Sequence, residues 1–78
     1  MKKLINDVET VLAAGETIES YPDDTAYPSR LVLGWCQGRP VHVVIGESPD
    51  GKDRVIITAY RPNPDWWDVT FRYRRPRR

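Results

Sequence analysis

Three successive stretches of alternating residues constrain the fold of this chain more than any other feature of its sequence. They are SRLVLGWC (29–36), PVHVVIGE (40–47) and RVIITAY (54–60), joined by the short connections QGR and SPDGKD. Alternation with a period of two is typical of β-strands, and connections of this length join antiparallel neighbours. The pattern therefore predicts an antiparallel meander in the centre of the chain.

The same alternation divides the residues of each strand between two faces of the sheet. One set is wholly apolar and comprises Leu31, Leu33, Trp35, Val41, Val43, Ile45, Val55, Ile57 and Ala59. The other set contains Arg30, His42, Arg54 and Tyr60. Because core burial favours the register that brings the apolar sets together, we expect these four polar side chains to share one face. A loop of even length at QGR would mix the two sets instead.

The flanking segments complete the predicted architecture. Residues 4–14 carry an apolar stripe at helical spacing, made of Leu4, Ile5, Val8, Val11 and Leu12. This stripe predicts a short helix that ends at Gly15. The segment TIESY (17–21) suits a brief extended piece, and VTFRYRR (69–75) alternates and predicts a closing edge strand that ends at Pro76. The expected fold class is α+β, an N-terminal helix packed on a three- to four-stranded antiparallel meander, in one domain (1–78) with a basic tail (75–78).

Composition excludes several classes of protein. The single Cys36 cannot form an intramolecular disulfide, and one Cys with one His cannot build a structural zinc site. The sequence has no apolar run near the ~20 residues that a membrane span requires. Acidic residues interrupt the N-terminal segment where a signal peptide would be apolar. We therefore expect a cytoplasmic protein without a metal, a cofactor or a membrane partner.

Charge is divided unevenly along the chain. Residues 1–29 carry two lysines and six acidic residues, whereas residues 30–78 carry ten Lys or Arg and five acidic residues. The basic excess lies in the terminal cluster of Arg72, Arg74, Arg75, Arg77 and Arg78. Such a division indicates either a site for a polyanion or a self-complementary surface. We assign Arg72 and Arg74 to the closing strand, and Arg77 and Arg78 to the tail.

His42 is the only histidine of the chain and the first candidate for chemistry. It has two interpretations, a general acid or base and an ordinary half-exposed strand residue. With Arg30, Arg54 and Tyr60 on its face, it would offer cations for a phosphate and two groups that transfer protons. Hydrolysis of RNA by attack of the ribose 2′-hydroxyl needs such a set. A solvated sheet face with ordinary arginines is the alternative interpretation.

Aromatic residues near the C-terminus are candidates for base stacking. Trp66 and Trp67 are neighbours and point in opposite directions in an extended segment. One is expected to close the core, and the other, for which Trp67 is the candidate, would stack on a base. Two tryptophans at the edge of the core are the alternative interpretation and the more frequent arrangement. Tyr73 lies between arginines, an arrangement that suits single-stranded RNA and also suits an edge strand.

The strings TIESYP, YPSRLVLGW, GRPVHVV, VIITAYRPNPDWW and FRYRR resemble the domain-of-unknown-function family DUF4258 over residues 4 to 75. That family is similar to the MqsR and RelE ribonuclease toxins, and its members lie beside zinc-finger antitoxins. The resemblance implies a RelE/MqsR-like fold, and its motifs transfer to His42, Tyr60, Arg72 and Arg74. Relatives carry a further N-terminal helix with a His and an Arg. We accordingly expect either an inactive chain or a helix supplied by a second copy.

Two functions follow as hypotheses. The first is a metal-independent endoribonuclease toxin that acts on RNA or at the ribosome and is silenced by a zinc-finger antitoxin. In it, His42 or Tyr60 handles protons, and Arg54 and Arg72 hold the scissile phosphate. The predicted RNA-binding residues are Arg30, Trp67, Tyr73, Arg74 and Arg75. The second hypothesis is a non-catalytic module that binds RNA or protein. A homodimer that pairs the acidic half with the basic half is a further alternative.

Overall fold

A computed structural model describes the backbone of residues 2–76 and the side chains of residues 8–76. One helix precedes four strands, which form a single antiparallel sheet in the order β1-β2-β3-β4. The elements are α1 (Lys2–Ala14), β1 (Glu16–Tyr21), β2 (Ser29–Cys36), β3 (Arg39–Glu47) and β4 (Arg54–Tyr60). The chain is thus a small α+β protein, as the alternation and the helical stripe predicted. No helix in the described part of the chain is long and apolar enough to cross a membrane.

The helix lies on one face of the sheet and ends where the sequence predicted. The Gly15 N–H donates to the Val11 carbonyl oxygen at 2.6 Å, and the chain then turns directly into β1. Val11 is 1% exposed and sits over Gly34, where a β-carbon would overlap the valine side chain. The missing side chain at Gly34 therefore lets α1 approach β2 closely. Leu4 and Ile5 of the predicted stripe lie outside the described side chains.

The turn between β2 and β3 contradicts the predicted register. Gln37 and Gly38 have φ angles of 54° and 77°, and Cys36 is paired with Arg39. A two-residue turn with both φ angles positive matches the right-handed twist of the flanking strands, and Gly38 adopts such an angle without steric cost. The loop is thus even in length. Leu33 consequently lies opposite His42, and the two predicted sets are mixed across the hairpin.

This register gives the sheet two apolar faces. The face under the helix holds Val32, Cys36, Val41, Val43 and Ile45 as the core cluster around Val11. The opposite face presents Leu31 and Leu33, both at most 2% exposed, on the same side as His42. Because residues directly opposite in an antiparallel pair share a face, two layers must cover this sheet instead of one.

The predicted closing strand at 69–75 is wrong, and the fourth strand is β1, which contains the TIESY segment. Residues 62–76, called the strap below, cross the second face of the sheet without forming a strand. Within the strap, Trp67 and Arg74 form an isolated antiparallel β-bridge. The alternation misleads here because the Asp68 carboxylate accepts hydrogen bonds from the N–H and hydroxyl of Thr70, which bends the chain.

Candidate nucleic-acid interface

His42 lies in the middle of β3 and is buried between the sheet and the strap. Its side chain is 0% exposed. Nε2 lies 2.9 Å from the carbonyl oxygen of Phe71, an acceptor, so Nε2 carries the proton. Nδ1 is then an acceptor facing the Tyr60 hydroxyl, which lies at 3.4 Å. Both ring nitrogens therefore face groups of the chain itself.

Trp67 covers the imidazole of His42. The two rings meet edge to face with centroids 4.4 Å apart, and Trp67 is 2% exposed. The Arg74 guanidinium also contacts the indole and lies 4.6 Å from the ring centroid. The three side chains form a stack that joins the strap to the sheet. Trp67, the predicted base-stacking residue, is thus buried in this stack.

Burial sets the protonation state of His42. Desolvation lowers the pKa of His42 below its ordinary value, and the nearby Arg74 cation lowers it further. The hydrogen bond to the Phe71 carbonyl and the charge of Glu19 oppose this shift without reversing it. Near neutral pH, the imidazole is accordingly uncharged, as its hydrogen bonds require. A role of His42 in proton transfer stays a prediction, and its structural role is to hold the strap.

Arg72 and Arg74 form forked ion pairs with two glutamates of β1. Arg72 donates to both carboxylate oxygens of Glu16 at 3.0 and 2.6 Å. Arg74 donates to both carboxylate oxygens of Glu19 at 3.1 and 3.2 Å, and the Tyr21 hydroxyl also donates to Glu19. The acidic and basic parts of the sequence therefore meet within one molecule. We call these two contacts the Glu16 and Glu19 forks.

The forks hold both carboxylates in the charged state. The hydrogen bond from Arg72 lowers the pKa of Glu16 below its ordinary value. Burial acts to raise the pKa of Glu19, but the hydrogen bonds from Arg74 and Tyr21 outweigh it and the pKa is lowered. Bidentate geometry of this kind fixes the orientation of the guanidinium groups. It also engages Arg72, which was predicted to hold the scissile phosphate, and Arg74, which was predicted to bind RNA.

Arg30 and Arg54 lie away from His42, contrary to the predicted shared face. Arg54 is paired with Glu47, and both arginines contact the Glu47 carboxylate, at 3.4 Å from Arg30 and 3.6 Å from Arg54. Arg30 lies opposite Ile45, on the helix side of the sheet, because the two-residue turn shifts the register. Of the other three predicted polar residues, only Tyr60 lies beside His42.

The outer surface of the strap presents a different set of side chains. The Arg75 N–H donates to the Trp66 carbonyl at 2.8 Å, and the Asp68 N–H donates to the Tyr73 carbonyl at 2.9 Å. These bonds pair residues 66–68 with residues 73–75 as a short antiparallel ladder around the Trp67–Arg74 bridge. Side chains alternate across such a ladder, so Trp66, Tyr73 and Arg75 point away from buried Trp67.

Exposure distinguishes the aromatic residues of this outer surface from Trp67 beneath them. Trp66 and Tyr73 are each 68% exposed, a high value for large aromatic residues. The Arg75 Nε donates to the Pro64 carbonyl at 2.9 Å, which fixes the guanidinium beside the ladder without a carboxylate. Arg75, predicted to begin a tail, is therefore part of the strap. Arg77 and Arg78 lie outside the described residues. We call Trp66, Tyr73 and Arg75 the outer platform.

The sequence predicted Trp67, Tyr73 and Arg75 as RNA-binding residues, and the structure exposes Tyr73 and Arg75 but buries Trp67. Trp66 is exposed and Trp67 is buried. No sequence signal distinguishes the two, because Pro62 and Pro64 interrupt the alternation that begins in β4. Among the described residues, no group of His, Cys, Asp and Glu could hold a metal ion.

The helix and the sheet lie in a region that matches the model of a known protein family. The model of the family described as "Domain of unknown function (DUF4258)" matches residues 4–61, well over half of the chain. The chain belongs to the DUF4258 family. No curated protein and no solved structure matches it.

The DUF4258 match ends at Arg61, immediately before the strap. It includes His42, Tyr60, Glu16 and Glu19, the residues to which the strap is attached. The strap itself, with the FRYRR motif, lies beyond it. The resemblance predicted over residues 4 to 75 is therefore confirmed for residues 4–61, which form the helix and the sheet. The strap lies outside the matched residues.

Proposed function

We propose that this DUF4258 member is a single-stranded RNA-binding module whose contact surface is the outer platform. The observation that carries the proposal is the exposure of Trp66 and Tyr73, each 68%, on the side of the strap that also carries Arg75. Exposed aromatic rings next to an arginine suit unpaired bases, since every base offers a face for stacking and the cation contacts phosphate. Arg77 and Arg78, two further cations, follow in the sequence.

The ladder suits this role because it holds the platform in place. Asp68 Oδ1 accepts hydrogen bonds from the Thr70 N–H at 3.1 Å and the Thr70 hydroxyl at 2.7 Å, which lowers the pKa of Asp68. The turn between the two halves of the ladder is therefore tied by a charged acceptor. A backbone fixed in this way does not have to be ordered when a base stacks on the rings that it carries.

Binding of a fluorescently labelled 12-nucleotide oligouridine, measured by anisotropy, tests the proposal. Trp66→Ala and Tyr73→Ala should each weaken binding about fivefold to a hundredfold, the range for loss of one stacked base. Trp66→Phe, which keeps a ring, should retain most of the affinity. Arg75→Ala should weaken binding. The slope of the logarithm of the binding constant against the logarithm of the salt concentration should become shallower by about 0.7. Arg39→Ala is the matched control, because Arg39 is exposed at the start of β3. Equal affinity in the wild type and both aromatic variants would exclude the platform.

A second candidate is the metal-independent endoribonuclease toxin that the resemblance to RelE and MqsR implies. The contact between His42 and Tyr60, with rings 5.4 Å apart, favours it because it joins two groups able to transfer protons. In this structure, the strap covers His42, which is 0% exposed and cannot reach a phosphate. Under this candidate, the ribosome and a zinc-finger antitoxin are the expected partners and the cytoplasm is the expected compartment. Cleavage of the same RNA in EDTA, lost in His42→Ala, would favour it over the binding module.

A further inference from the structure

The strap is attached to the sheet mainly by side chains. The Glu16 and Glu19 forks and the bond between His42 Nε2 and the Phe71 carbonyl all involve at least one side chain. Trp67 adds its contact with His42, and Phe71 adds an edge contact with Trp35, with centroids 5.9 Å apart. The sheet, by contrast, is held by backbone pairing along every strand.

Backbone hydrogen bonds inside the strap make it a unit of its own. The N–H groups of Trp66, Asp68, Phe71 and Arg75 donate to the carbonyls of Asn63, Tyr73, Asp68 and Trp66, all within the strap. Detaching the strap from the sheet would break none of these bonds. Pro62 and Pro64 lie where the strap leaves β4 and limit any continuation of that strand.

The forks are accessible to solvent, unlike the groups they help to cover. The side chains of Arg72 and Arg74 are 37% and 59% exposed. Ion pairs in such positions are weakened by salt. His42 and Trp67, in contrast, are at most 2% exposed where the strap meets the sheet. The attachment is therefore electrostatic at its rim and apolar at its centre.

We propose that the strap is a cover latched by the Glu16 and Glu19 forks, which opens as a unit while the sheet stays folded and thereby uncovers the His42–Tyr60 pair. In the closed form, the chain inhibits any chemistry or ligand binding at that pair by occupying the face with its own Trp67 and Phe71. The opening is a property of the chain itself and does not depend on the RNA binding proposed above.

The reactivity of His42 toward diethyl pyrocarbonate measures this opening directly. His42 is the single histidine of the chain, so the absorbance change of the acylated imidazole reports one site in an untagged protein. Rates are measured at pH 7.5 and compared with N-acetylhistidine under the same conditions. Amide hydrogen exchange at Val41 and Val43, which are 0% exposed in β3, reports whether the sheet unfolds at the same time.

Glu19→Gln should raise the rate of His42 acylation severalfold, because it removes the charge of one fork. Glu47→Gln is the matched control, because Glu47 also forms ion pairs with arginine, here Arg30 and Arg54, but lies away from the strap. Raising sodium chloride from about 0.05 M to about 1 M should accelerate acylation of the wild type, since the Debye length then falls to about 3 Å. Exchange at Val41 and Val43 should stay slow throughout.

Three results would overturn the proposal. One is an acylation rate that neither Glu19→Gln nor salt changes. Another is an equal acceleration in Glu47→Gln. The last is faster exchange at Val41 and Val43 in step with acylation, which would show that His42 becomes accessible by unfolding of the whole chain.

Discussion

The Phe71 carbonyl oxygen accepts a hydrogen bond from His42 Nε2 at 2.9 Å, and Phe71 adopts a left-handed backbone conformation with φ of 60°. Such a conformation is uncommon for a residue with a large side chain and has an energetic cost. The bond to His42 and the ring contact with Trp35 compensate for it. One residue in the middle of β3 thus determines the path of a segment 29 residues further along the chain.

His42→Ala should destabilise the chain by about 2–4 kcal/mol. The substitution leaves the Phe71 carbonyl without its donor and opens a cavity beneath Trp67. Thr58→Ala, at an exposed position of neighbouring β4, is the control and should change stability by less than about 0.5 kcal/mol. Urea unfolding followed by circular dichroism gives both values. A change at His42 as small as that at Thr58 would show that the strap does not depend on this hydrogen bond.

The free energy of unfolding should fall as the pH drops below about 6.5, the ordinary pKa of histidine. The folded pKa of His42 is lowered by burial, so the unfolded chain takes up this proton first. The contribution of His42 is therefore complete above the unfolded pKa and is lost between that value and the lower folded one. Urea midpoints measured from pH 8 to pH 5 check this, with His42→Gln as the variant that should flatten the curve. A wild-type curve already flat in this range would contradict the assignment.

The helix, the three central strands and the α+β class could be predicted from the sequence because each depends on a local pattern. The stripe around Val11 and the stop at Gly15 are separated by a few residues, and strand alternation is visible without knowledge of partners. The register could not be predicted so simply. It depends on whether Arg39 belongs to the turn or to β3, and the positive φ angles of Gln37 and Gly38 decide that question.

The candidate site was harder to predict because its parts are far apart in sequence. Once the register placed Leu31, Leu33 and His42 away from the helix, that face required a cover, and the C-terminal residues supplied it. The alternation of VTFRYRR resembles a strand, yet Asp68 and Phe71 bend it. The division of charge could likewise be seen in the sequence. The sequence did not show, however, that Glu16 and Glu19 in β1 pair with arginines of the same chain.

Exchanging the two charges of the Glu16 fork should restore the stability that each single substitution removes. Glu16→Arg and Arg72→Glu should each lower the urea midpoint at pH 7, because each places two like charges in contact. The double variant should recover most of the loss. The stabilisation by the wild-type pair should be lost as the pH falls below about 4.5, the ordinary pKa of Glu16, through its lower folded value, whereas the repulsion in Glu16→Arg, which involves two arginines, should persist. Additive losses in the double variant would show that the two side chains do not interact in solution.

Alanine at two strand glycines should have opposite effects, because the glycines lie on opposite faces of the sheet. At Gly34, the new β-carbon would lie 2.9 Å from the Val11 β-carbon, so α1 must shift and stability should fall by about 1–3 kcal/mol. At Gly46, its nearest neighbour is the Ile57 Cδ1 at 3.3 Å, the end of a side chain that is 54% exposed and can move. Gly46→Ala should therefore be neutral or stabilising by up to about 1 kcal/mol, because it reduces the entropy of the unfolded chain. Thermal unfolding of the two variants side by side measures the difference, and equal losses at both positions would refute the close docking of α1 on Gly34.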